Sequence, residues 1–156
     1  MESLKHLVEV LKSQLSLYSE IKENIELEKQ AIVSWSVGKT AELTKIKEEL
    51  LRREKIQVEA RNLLISQIAK EAGKESLSIA GVIDYAKGTP QAAQLETLCQ
   101  RLVALITQIQ AENLSLRVLY ATNSRMINDF LTQIGLSEPS YGSASPRKTS
   151  TISKVG

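Results

Sequence analysis

Residues 89–134, TPQAAQLETLCQRLVALITQIQAENLSLRVLYATNSRMINDFLTQI, decide the fold class. Thr89 stands where a helix cap would, and Pro90 takes the first helical position, where a missing N–H does no harm. Written as heptads, the a positions read Leu95, Leu102, Ile109, Leu116, Asn123 and Phe130. The d positions read Leu98, Leu105, Glu112, Leu119, Met126 and Gln133, so nine of the twelve are apolar. A neighbouring column, Cys99, Ile106, Asn113, Tyr120, Ile127 and Ile134, widens the stripe beyond a two-stranded seam to a face that two partners can share. The segment is also poor in charge. Residues 95–128 hold five charged side chains against sixteen in residues 37–75, which fits either a central helix or a surface on which another helix docks.

Upstream, Leu4, Leu7, Leu11, Tyr18, Ile21, Ile25, Ile32 and Trp35 form a heptad with a positions at 4, 11, 18, 25 and 32, which predicts a helix over about 2–36. Ser36, Gly38 and Thr40 interrupt it, with Thr40 as the expected cap of a second helix over about 40–72. That second helix carries Leu43, Ile46, Leu50, Leu51, Ile56, Leu63, Leu64 and Ile68, and Gly73 closes it. A short helix over about 77–87 starts at Ser76 or Ser78 and ends at Gly88. The long helix then covers 90–134. Beyond Gly135 the chain turns to Ser, Thr, Pro and Gly with Arg147, Lys148 and Lys154, so residues 136–156 are expected to form a flexible tail. The fold class expected is therefore all-α: residues 1–135 as an antiparallel bundle of three long helices plus a short one, packed in coiled-coil fashion. At 1.5 Å per residue the first two helices run roughly 50 Å and the last nearly 70 Å. One end of the last should then protrude or be capped by the short helix, and a C-terminal overhang would expose Met126, Ile127, Phe130 and Ile134.

Composition agrees and excludes several function classes. Aromatic residues make up 4% of the 156, against 42% hydrophobic in all, which favours Leu and Ile packing between helices over a sheet. A net charge of +2, spread along the chain, offers no basic face for nucleic acid. The cluster from Lys45 to Lys55 is interleaved with Glu48, Glu49 and Glu54 and reads as a solvated face. The single cysteine, Cys99, forbids an internal disulfide, and the start opens directly into a charged amphipathic pattern, so the expectation is a cytoplasmic protein without membrane insertion. With one histidine, His6, and no Gly-rich phosphate loop, no catalytic, metal or cofactor site is expected, and the protein is read as a non-enzyme.

The order of helices, the residues Lys47, Leu50, Leu51, Glu59, Arg61, Leu63 and Leu64, and the asparagines Asn113 and Asn123 resemble the flagellar export chaperones of the FlgN type, which serve the hook-filament junction proteins. More specific is Glu138-Pro139-Ser140-Tyr141-Gly142, which looks like that family's Pro and Tyr-Gly signature. The resemblance implies a chaperone that binds the C-terminal segments of hook-associated proteins and delivers them to the cytoplasmic domain of the type III export gate, with Tyr141 as the gate contact. It places client binding on the C-terminal helical region, for which Leu116, Leu119, Tyr120, Asn123, Met126, Ile127 and Phe130 are nominated. A lone aromatic in a Ser and Gly tail also suits an anchor on physical grounds, since it gives large contact area at low entropic cost. The competing readings are a homo-oligomeric coiled-coil scaffold, with a weak homo-oligomer compatible with either case, and a chaperone of another secretion substrate.

Overall fold

The computed structural model describes residues 2–135. Four helices follow one another, α1 (Glu2–Val33), α2 (Val37–Glu71), α3 (Ile79–Tyr85) and α4 (Pro90–Gln133), with no strand among the described residues. The all-α expectation, with three long helices and a short one, is borne out. The chain divides into two units, Met1–Ala121 and Thr122–Gly156.

In the first unit α1 and α2 run antiparallel. Ser3 bonds to Glu71, Gln57 to Ser13, Tyr18 to Glu54, Arg53 to Glu20, and the Asn24 amide to the carbonyl of Leu43, so partner numbers fall in α2 as they rise in α1. The heptad explains which face of α1 is inside: Leu4, Leu11 and Ile25 are fully buried and Ile32 nearly so. α4 lies parallel to α1. Its columns supply Leu95, Leu98 and Leu102 to a cluster with Leu4, Leu7, Leu11 and Ile68, and Ile109 and Leu116 to a second cluster with Leu17, Ile21, Ile25, Ile32 and Leu50. Val82 of α3 and Ala86, the residue just past its end, close the first cluster, both wholly inaccessible.

Between the two apolar clusters α1 turns polar. Gln14 is completely buried, and its amide oxygen accepts from Arg61 of α2 at 3.4 Å. Tyr18, one turn further on, donates to Glu54 at 2.8 Å.

The helix ends depart from the expected boundaries. α1 stops at Val33, and Trp35, expected inside the helix on its apolar stripe, follows the end with φ 56 and 53% of its surface exposed. The bonds Trp35 N to Ile32 O and Ser36 N to Ala31 O form the 5→2 and 6→1 pair that closes a helix through a left-handed residue. α2 ends the same way, with Gly73 N to Lys70 O and Lys74 N to Ala69 O, but there the left-handed residue is a glycine at φ 65. α2 begins earlier than expected, so Gly38 and Thr40 fall within its first turn, and the Thr40 hydroxyl donates back to the Ser36 carbonyl instead of capping. Thr89 likewise donates to the Ala86 carbonyl at 2.7 Å, tying it to the end of α3. Ser78 does cap α3, accepting from Gly81 N at 3.1 Å.

Candidate interaction surface

Residues 122–135 form the described part of the second unit, and none of them is buried. Met126 is 55% exposed, Ile127 45%, Phe130 60% and Ile134 53%, a density of large apolar side chains that a solvent-facing helix does not need. Asn123, Ile127, Phe130 and Ile134 continue by helical phase the columns that Leu102, Ile109 and Leu116 begin. The stripe that is core at Leu116 is surface at Phe130.

The seven nominated client residues therefore differ in role. Leu116, 4% exposed, belongs to the core, and Leu119 packs partly buried against the same cluster. Tyr120 is 38% exposed, and its hydroxyl donates to Glu28. Asn123 is half-buried. Met126, Ile127 and Phe130 stand open. Tyr141 lies outside the described residues.

Sequence reasoning missed the partner of Tyr120. Glu28 is 3% exposed, yet it receives both the Tyr120 hydroxyl from α4 and the Lys47 ammonium of α2 at 2.8 Å, so one carboxylate joins three helices. Beside it Lys29 pairs with Glu112. A signal was present: Gln14 and Glu28 both occupy d positions of the α1 heptad, alternating with Leu7 and Ile21. Polar residues recurring at core positions point to buried networks rather than to solvent.

Burial and then the bond to Glu28 push the Tyr120 phenol up to about 12, and burial with Glu54 does the same for Tyr18. Because the folded value exceeds the unfolded one, this stabilisation is complete below about pH 10 and is lost as pH rises toward 12. Urea midpoints measured from about pH 8 to about pH 11 should thus fall for the native chain, and fall less steeply for Tyr120→Phe; identical slopes would remove the linkage.

Elsewhere, Cys99 is half-buried, and desolvation raises its thiol pKa, which disfavours the reactive thiolate. His6 is solvent-exposed and lies 3.6 Å from Glu2. Among the described residues no three His, Cys, Asp or Glu side chains gather as metal ligands would, and no helix is long and apolar enough to cross a membrane. What the geometry offers is apolar surface on a helix.

A family model described as FlgN protein matches residues 1–142. The chain belongs to the FlgN family. FlgN proteins are flagellar export chaperones, a family not known for enzymatic activity, and an apolar helix surface is the equipment such a chaperone requires. The FlgN match extends past Gly135 and ends at Gly142, so it takes in Tyr141. No curated protein and no solved structure matches the chain.

Proposed function

We propose that this FlgN family member binds the C-terminal segments of hook-associated, hook-filament junction proteins in the cytoplasm and delivers them to the cytoplasmic domain of the export gate. The observation that carries the client half is the exposure of Met126, Ile127, Phe130 and Ile134 along one helix. An unfolded client segment that becomes helical against these side chains exchanges ordering entropy for apolar burial, which keeps the complex reversible, as export demands. Leu116 contributes by fixing α4 in the core of the first unit, and Leu119, Tyr120 and Asn123 precede these residues along the same helix. For delivery, Tyr141 is the proposed gate contact, supported by the family's Tyr-Gly signature and by the reach of the family match over it.

Calorimetric titration separates the two halves. Phe130→Ala should weaken binding of a hook-associated protein about tenfold and leave gate binding alone, and Tyr141→Ala should do the reverse. Native-like affinities in all four titrations would refute the assignment.

A further inference from the structure

Three large apolar side chains crowd the turn between α1 and α2: Val33 is 66% exposed, Trp35 53% and Val37 80%. Trp35 occupies the left-handed position of a helix-closing turn, where a Cβ is penalised and glycine is the favoured residue. The same chain uses glycine at the equivalent place after α2, at Gly73. A bulky aromatic placed against both backbone preference and solvent is not what helix closure selects, and such conflicts gather at functional sites.

The surroundings narrow what covers it. Residues 31–38, AIVSWSVG, carry no charge. The flanking charges cancel, Glu26, Glu28 and Glu42 against Lys29, Lys39 and Lys45, so an anionic lipid surface gains no attraction here. The three side chains expose on the order of 300 Å², well under the roughly 800 Å² per partner of a stable dimer. Within the first unit the tip is one turn beyond Ile32, which packs in the cluster with Leu116 and Leu119, and beyond Glu28, which holds Tyr120. It therefore stands at the end of that unit that also carries Leu119 and Tyr120, two of the proposed client residues.

We infer that the Val33–Trp35–Val37 tip is a second docking point for the client, taking an uncharged apolar helix face of the same exported protein, with Trp35 as its anchor. This rests on the chaperone reading above. It explains why a left-handed tryptophan is tolerated: the ring is kept for the complex.

Trp35 is the single tryptophan of the chain, so its emission reports on the tip alone. A tryptophan-free C-terminal segment of a hook-associated protein, added to the native chain, should shift that emission to the blue along the same isotherm that calorimetry records. Trp35→Gly should bind the segment about tenfold more weakly. Its melting temperature should stay within about 3 °C of native, because relief of the left-handed strain offsets the lost ring contacts. Binding with unmoved emission and native affinity in Trp35→Gly would overturn the inference and leave the chaperone reading standing. So would a blue shift on concentrating the chain alone, which would assign the tip to a second copy, or a melting temperature far below native, which would make Trp35 a packing residue. Absence of any heat with the native chain would sink the chaperone reading and this inference together.

Discussion

Glu28→Ala is expected to cost the fold about 2–3 kcal/mol in urea denaturation, far more than removal of any surface carboxylate. The carboxylate is nearly inaccessible and carries Lys47 and Tyr120 at once, so its loss strips a charge partner from one helix and an acceptor from another. The cost stays below that of a fully buried pair because Lys47 is 23% exposed and can reach water. Glu28→Gln, which keeps an acceptor for the tyrosine, should lose about half as much. Pairing Glu28→Leu with Lys47→Met should recover most of the loss, since apolar replacements of both partners leave no orphaned charge. A single-mutant cost under about 0.5 kcal/mol would show that the clasp contributes nothing.

The second large effect contrasts two ends of one helix. Leu95→Ala should destabilise by about 3–4 kcal/mol, or roughly 10 °C, because Leu95 is fully buried against Leu4, Leu7 and Val82 and its removal opens a cavity. Ile127→Ala, on the same apolar stripe but 45% exposed, should change stability by less than about 0.5 kcal/mol. Thermal melting of the two variants, with client titration alongside, tests the division of α4 into a part that folds the protein and a part kept for binding. Equal destabilisation would mean that the stripe beyond Ala121 is packed in solution.

Much of this was legible in the sequence because helical periodicity survives without tertiary information. The columns of α4 named Leu95, Leu98, Leu102, Ile109 and Leu116, and these are its buried residues. The α1 heptad did the same for Leu4, Leu11, Ile25 and Ile32, then overran at Trp35, because a residue three after Ile32 fits the period whether or not the helix continues. Backbone sign at that position is decided by local hydrogen bonds that no apolar pattern records. Tyr120 was nominated for client binding with no sign of its bond to Glu28, since that partner is 92 residues away. Only topology brings Glu28 to it, and topology is what a single sequence states least directly.

The two buried polar knots have a consequence for how the helices find each other. Gln14 meets Arg61 and Glu28 meets Lys47, a spacing of 14 residues, or two heptads, on both helices. A seam of leucines alone is degenerate, since sliding one helix by a heptad exchanges one leucine for the next at little cost. Here a slide by one heptad would set Gln14 against Ile68 and Glu28 against Glu54, or, the other way, Gln14 against Glu54 and Glu28 against Thr40, so both pairings are lost at once. The pair acts as a vernier, admitting one alignment of α1 on α2 and rejecting its nearest neighbours, so a core built mainly from interchangeable Leu and Ile still reaches a single arrangement.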